Sequence, residues 1–354
     1  KERSYDVLKK LINAWADHQA LVTVIFFAFM TAYPLIFQSF YLRNIAIQVL
    51  IYSTLSLALN LVMGYTGIVI LGMAAFYGIG AYSVALLTTR LGFSFIPAML
   101  GAILISGIVG MLLALPTLRI SGNYLAIVTL GFCEIVRIVE LNWVSLTNGP
   151  FGIKQIPSPD IFGITNIFGL KLSKPVGKYY VMLLLLVLTV LLLHNLINSR
   201  SGRAMRAIKG DAIAAEAMGV NVFLYKTIAF SICAAIAGMA GGYYASYIGY
   251  VDSTTFNYNQ SIQILSMTIM GGLGSIPGSI IGAAFFVVLP EFLRWLGTFC
   301  GEWIVEWRQI LYGLILIIMI MFKSDGILGG FDLHQIHLYN KLHGQKADRK
   351  QVKE

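Results

Sequence analysis

The run VMLLLLVLTVLLL at residues 181–193 carries one hydroxyl and no charge, and its reading decides the fold. With its flanks it reaches about 20 residues, enough for a helix to cross a bilayer core of roughly 30 Å. No water reaches a backbone N–H or C=O inside lipid, so such a run must satisfy those groups internally, as a helix does. Stretches at 21–40, 45–63, 95–115, 224–247 and 310–322 read the same way. The composition agrees, because 12% charged residues cannot cover a water-facing exterior, where about 25% is usual. The expected fold class is therefore all-α, a polytopic integral membrane protein with about ten transmembrane or re-entrant helices.

Working outward, the candidate spans are 21–40, 44–63, 68–88, 95–115, 121–141, 178–197, 224–247, 260–275, 277–296 and 307–323. The third, fifth, eighth and ninth are rich in Gly or carry polar residues, which marks helices buried in a bundle or re-entrant pieces. The expected organisation is a segment at 1–20, a transmembrane domain at 21–323 and a basic tail at 324–354. The first apolar stretch has no small-residue cleavage signature after it and reads as a retained span.

The net charge of +9 does not point to nucleic acid, because the basic residues form short clusters between spans without interleaved aromatics. They read as topology signals. Placing the connector SRSGRAMRAIKG (199–210) in the cytoplasm puts both ends of the sequence there, and the positive-inside rule is then obeyed. The loop at 148–177, with Pro150, Pro157, Pro159 and Pro175, then forms an ordered or semi-ordered external cap. Cys133, Cys233 and Cys300 lie in or beside spans at spacings that define neither a disulfide framework nor a metal site, and read as packing residues. His334, His337 and His343 in the tail lack a Cys or paired acid to complete a metal site.

Two Gly-rich stretches echo each other. MGYTG at 63–67 is followed by LGMAAF at 71–76, and MGGLG at 270–274 by IGAAF at 281–285. Paired Gly-interrupted segments point to a transport pathway, which makes Gly271, Gly272 and Gly274 candidates for its lining, while small residues at helix contacts give the same pattern. On this span count the copies are parallel, and one span more or fewer inverts them, so the sense of the repeat stays open. The 271–278 stretch is no phosphate loop, since it lacks the closing Lys-Ser/Thr pair.

On the fifth span Glu134 and Arg137 lie three residues apart on one helix face. A bare charge at mid-membrane costs about 2.5–3.5 kcal/mol on insertion scales. The two therefore either pair with each other or line a polar pathway, meeting the ammonium and carboxylate of an amino acid. Tyr124 and Thr129 add hydroxyls on the same span. In the cytoplasmic connector at 199–222, Ala214, Ala215, Ala217 and Met218 favour a short helix that carries Glu216, and Gly219 a stop with positive φ. This is either an ordinary juxtamembrane helix or a rigid peg that docks in a groove on another protein.

The sequence resembles the permeases of the branched-chain amino-acid (Liv-type) ABC importers, M-type subunit, over residues 44–325. The resemblance rests on GYTGIVILGMAAFYGIGAY (64–82), RISGNYLAIVTLGFCEIVRI (119–138), NGPFGI (148–153), AAEAMGVN (214–221) and IMGGLGSIPGSIIGA (269–283). It implies a non-enzymatic, cofactor-free subunit of the bacterial cytoplasmic (inner) membrane. The implied partners are a second homologous permease, two ATP-binding subunits that hydrolyse the ATP, and an extracytoplasmic substrate-binding protein. The ABC permease coupling signature, Glu-Ala-Ala, three residues, Gly, is matched by Ala214, Ala215 and Gly219, with Ile213 at the leading position and Glu216 the nearby acid. A related permease for urea, amides or another small solute, and an ion-coupled secondary transporter using Glu134, are the competing readings. A purely structural scaffold is disfavoured by the paired Gly-rich segments.

Overall fold

Helices form where the apolar runs fall. In the computed structural model, described for residues 39–117, 123–159 and 174–300 together with 30, 31, 33, 34, 166, 167, 170, 171, 313, 314 and 317, five are long and apolar enough to cross a membrane. They are α1 (Phe40–Thr66), α3 (Phe95–Thr117), α6 (Lys174–Asn198), α9 (Val222–Ile248) and α11 (Ile276–Cys300). Three others share the bundle: α2 (Met73–Thr89), α4 (Asn123–Asn142) and α10 (Tyr258–Gly271). The four-residue α5 (Val144–Thr147) follows α4, and the connector folds into α7 (Arg200–Gly210) and α8 (Ala212–Ala217). The candidate spans 21–40 and 307–323, and the tail histidines, lie largely or wholly outside the described residues.

Residues 44–330 form one compact unit. At its centre α2, α3 and α9 pack through small residues, with Gly80 against Gly238 and Gly107 against Ala235. The Ser231 hydroxyl donates to the Gly107 carbonyl at 2.8 Å. Close backbone approach of this kind holds helices together in lipid, where apolar side chains gain nothing by leaving the solvent. Cys233 is buried there with its Sγ 3.7 Å from Met73 Sδ.

The unit has two ends. At the loop end, Tyr247 Oη donates to Asn44 Oδ1 at 2.6 Å and Tyr243 Oη to the Lys178 carbonyl at 2.7 Å, joining the start of α1, the end of α9 and the start of α6. Among the described residues of the expected cap and its neighbour, β1 (Ile153–Lys154) pairs antiparallel with β4 (Tyr250–Val251), and β2 (Asn166–Ile167) with β3 (Leu170–Lys171). Its last residues already belong to α6, where Pro175 sits in the first turn and needs no N–H partner. At the connector end, α7 buries Gly202, Met205 and Ile208. Arg206 and Arg203 donate to the carbonyls of Ile197 and Asn198 at 2.7 and 3.3 Å, capping α6.

Of the four spans singled out as Gly-rich or polar, the fifth and ninth are the full-length helices α4 and α11, and the third and eighth are half-helices. After α1 reaches the connector end, residues 67–72 run back without helix, and six extended residues cover about 20 Å. The α2 helix then starts level with Cys233, near the middle of the 27-residue α9, and runs to the loop end, where Arg90 Nη2 donates to the Ser145 carbonyl at 2.7 Å. The 14-residue α10 does the reverse. After α9 reaches the loop end, residues 249–257 dip back. Gln260 in the first turn of α10 donates to Tyr52 Oη at 2.6 Å, level with the middle of the 27-residue α1. At 1.5 Å per residue α10 spans about 21 Å, short of a crossing.

Long helix, return segment, half-helix and long helix thus occur twice, as α1 to α3 and as α9 to α11, with opposite direction. The repeat is inverted. The echoing stretches at 63–76 and 270–285 are not its equivalent parts; they meet each other at the connector end, as described below.

Candidate transport site

Non-helical backbone at membrane depth needs partners, and the first return segment and the start of α2 find them on neighbouring helices. The Leu71 N–H donates to Thr129 Oγ1 at 3.0 Å, and the Ala74 N–H, in the first turn of α2, to Ser261 Oγ of α10 at 2.9 Å. Asn257 Oδ1 accepts from the Gln260 N–H at 3.1 Å and caps α10. The N-termini of both half-helices therefore meet at mid-depth, each carrying the partial positive charge of a helix start. Cys133 is buried beside them, its Sγ 3.8 Å from Ser261 Oγ.

Beside this meeting point lies a cleft of about 430 Å³ lined by Leu130, Glu134, Arg137, Asn257, Tyr258 and Asn259. Its size falls in the usual range for small-molecule sites, about 300–1,000 Å³. Glu134 and Arg137 are paired, Arg137 Nε donating to Glu134 Oε2 at 2.8 Å, and both side chains stay 28% exposed. The two sequence readings of this pair are thus compatible in geometry: the ions neutralise each other and still face the cleft. A zwitterion entering it meets a carboxylate and, on the same wall, a guanidinium next to a helix N-terminus. Thr129 is fully buried and supports residue 71, whereas Tyr124 is 71% exposed on the outward face of α4 and does not line the cleft.

The three candidate glycines sit at the connector end. Gly272 and Gly274 have φ of 114° and 90°, which lets the chain reverse between α10 and α11 in four residues. Gly271 packs on the backbone of Gly278, and Gly64 of α1 on that of Gly274, leaving no room for a Cβ. This is where the two echoing stretches meet. Asn60, buried on α1, holds the junction. Its Nδ2 donates to the Ser275 carbonyl at 2.9 Å and to Ser279 Oγ at 2.7 Å, and its Oδ1 accepts from the Gly274 N–H at 2.8 Å. Tyr65 Oη adds a bond of 2.6 Å to the Gly274 carbonyl. The Lys209 side chain, from α7, is near both Gly67 and Gly274: a Cβ added at Gly67 would come within 3.6 Å of it, and one added at Gly274 within 4.0 Å.

The connector therefore lies beside the first return segment and the α10–α11 reversal, and its own tip is a short capped helix. The Asp211 carboxylate accepts from the N–H groups of Ile213 and Ala214 at 2.9 and 3.1 Å and caps α8. Gly219, with φ of 84°, follows the helix as the sequence suggests. Ala214, Glu216 and Gly219 are exposed while Ala215 faces inward. Ile213 and Met218 are 82% and 85% exposed.

Sequence reasoning passed over Asn60, Ser261 and Glu140. A lone Asn in the apolar run of α1 was the available signal, since an amide in lipid needs a partner. Glu140, one turn beyond Arg137, is 5% exposed under Gly78 and Phe256. Neither carboxyl oxygen has a hydrogen-bond partner among the described residues.

Residues 41–320 match the family described as branched-chain amino acid transport system / permease component. The chain is 37% identical over 302 residues to the high-affinity branched-chain amino acid transport system permease protein LivM of Salmonella typhimurium, covering 80% of this chain and 69% of that protein. It is 24% identical over 302 residues to the LivH permease of the same organism, covering 80% and 93%. It is 26% identical over 206 residues to the autoinducer 2 import system permease LsrC of Salmonella paratyphi B, covering 56% and 54%. No solved structure matches it at a significant level.

Proposed function

The chain belongs to the family of permease components of branched-chain amino acid transport systems, and from that premise we propose that it forms one half of the membrane pathway of an ABC importer for leucine, isoleucine, valine or a related amino acid. The observation that carries the reading is the place of Lys209, close enough to both Gly67 and Gly274 that a Cβ added at either would come within 4.0 Å of its side chain. The connector thus lies beside the start of the first return segment and beside the α10–α11 reversal, one in each repeat, and a push on it bears on both. Two ATP-binding subunits dock at α8, around Ala214, Glu216 and Gly219, with Ile213 and Met218 as the apolar tip. Closure of the ATPase pair moves α7, and the half-helices open or shut the cleft in which Glu134 and Arg137 meet the solute. An inverted repeat with discontinuous helices at mid-depth suits such alternating access. The basic connector places its end in the cytoplasm, with both ends of the sequence on that side. The loop end receives an extracytoplasmic binding protein.

A second reading keeps the mechanism and changes the solute, to urea, an amide or another small molecule. It is favoured by the similarity to a permease named for autoinducer 2 import. Purification of the chain from native membranes in mild detergent tests the assignment. The expected companions are an ATPase pair and a second permease. Recovery of the chain alone, with uptake that follows an ion gradient and ignores ATP, contradicts it and turns attention to Glu134 as an ion site.

A further inference from the structure

The α4 helix carries two carboxyl groups, Glu134 and Glu140, and their surroundings differ. Glu134 has its counter-ion in Arg137, 2.8 Å away. Glu140 is 5% exposed, and neither of its oxygens has a hydrogen-bond partner among the described residues. A polar group buried in that way is costly, because its water has been given up and nothing has replaced it. Ionisable side chains at membrane depth pair with one another or mark the route of a substrate or ion.

The Glu140 carboxyl lies over Gly78 of α2, where an added Cβ would stand 2.9 Å from Glu140 Oε1 and 3.0 Å from Phe256 Cγ. Phe256 covers it. The ring packs against Tyr77, Tyr244 and Tyr82, with centroids 5.1, 6.2 and 6.3 Å apart. Tyr82, one turn beyond Gly78, is within electrostatic reach of Glu140, and its hydroxyl is also buried without a partner among the described residues. A lone acid, a lone hydroxyl and aromatic rings thus share one place. That is the chemistry of an ammonium site, in which the carboxylate balances the charge and ring faces attract the cation. A hard metal ion needs a shell of oxygens instead, and no group of His, Cys, Asp and Glu able to hold a metal is found among the described residues.

Phe256 is followed directly by Asn257, which lines the cleft and caps α10, so the ring over Glu140 belongs to the segment that also shapes the cleft. We propose that Glu140 is the residue that binds the ammonium of the solute, covered by Phe256 in this conformation and uncovered when the second return segment moves. Arg137, three residues earlier on α4, is its neighbour at about 5–6 Å between Cβ atoms. Its guanidinium has N–H donors besides the one given to Glu134, and these take the carboxylate. A molecule with an ammonium and a carboxylate on one carbon bridges the two. The inference rests on the amino-acid permease reading and goes further by naming the group that selects the ammonium.

The test follows binding to the complex as purified, by saturation-transfer NMR, with leucine, 3-methylbutylamine and 4-methylpentanoate as probes. The amine is leucine without its carboxylate, and the acid is leucine without its ammonium. In the unaltered complex the amine is expected to displace leucine better than the acid does. Glu140→Gln keeps the shape and removes the charge. It is expected to weaken leucine and the amine by about tenfold or more, as when one partner of a buried charge pair is lost, while the acid binds as before and the unfolding midpoint is unchanged. Unaltered binding of the amine by Glu140→Gln overturns the proposal. So does an acid that outcompetes the amine in the unaltered complex, or a complex that binds neither leucine nor the amine, results that need no variant to fold. Stabilisation of the unaltered chain by sodium ions, lost in Glu140→Gln and indifferent to the amine, would overturn it in favour of a bare cation. If leucine uptake follows ATP and Glu140→Gln changes no probe, the ammonium site alone is wrong. If the unaltered complex takes up only an uncharged solute such as urea, the amino-acid reading fails with it.

Discussion

Replacing Asn60 by alanine tests the idea that the two repeats are clamped together where α1 meets the α10–α11 reversal. The substitution removes three hydrogen bonds, of 2.9, 2.7 and 2.8 Å. The Ser275 carbonyl keeps the Ser279 hydroxyl at 3.2 Å, so the group left without a partner is the Gly274 N–H. An orphaned buried donor costs about 1–3 kcal/mol. Each remaining side-chain bond between helices in a membrane averages about 0.6 kcal/mol. The sum is about 2–4 kcal/mol, which at roughly 2 °C per kcal/mol lowers the midpoint of thermal unfolding by about 4–8 °C. Ser56→Ala is the matched control, since the Ser56 and Thr268 hydroxyls are 3.0 Å apart and Thr268 keeps its bond to the Ile264 carbonyl at 2.9 Å. Its cost is about 0.6 kcal/mol, near 1 °C. Unfolding of the detergent-purified chain, followed by tryptophan fluorescence, reads both. Equal midpoints for the two variants would refute the claim that Asn60 clamps the junction.

Other expectations concern the cleft and the peg. Glu134→Gln and Arg137→Gln each leave one charge unpaired, and the double variant restores neutrality. Unfolding midpoints should therefore show a coupling of about 0.5–3 kcal/mol, the double variant losing less than the sum of the singles. Thr129→Ala strips the Leu71 N–H of its acceptor and should cost about 1–3 kcal/mol, while Thr129→Ser stays within about 0.5 kcal/mol of the native chain in the same assay. Asp211→Ala removes the cap of α8, worth about 1 kcal/mol locally. Its expected readout is a several-fold loss of ATPase recovered on co-purification, with the unfolding midpoint of the bundle unchanged.

The long helices were legible because lipid leaves an apolar run with one way to satisfy its backbone, and 181–193 lies inside α6 as read. The half-helices were legible only as doubt. Their Gly and polar content marks them as unlike ordinary spans, but the placing of 67–72 and of the start of α2 depends on acceptors, Thr129 and Ser261, that lie far away in sequence. For the same reason the sense of the repeat could not be read. The echo between 63–76 and 270–285 drew attention to stretches that pack against each other, whereas the parts related by inversion, α2 and α10, share little sequence. Gly219 and the Glu134–Arg137 pair were readable because spacing along a single helix or turn determines them. Asn60 was not, since its partners are more than 200 residues away.

The central claim is that this chain carries solute through the membrane under power delivered at its connector. It is tested most directly in proteoliposomes that hold the purified complex, with labelled leucine and the binding protein outside and ATP inside. The account expects uptake that requires both the binding protein and hydrolysable ATP, persists when ion gradients are collapsed, and falls several-fold with Asp211→Ala. Uptake driven by an imposed Na⁺ or H⁺ gradient in the absence of ATP would contradict it.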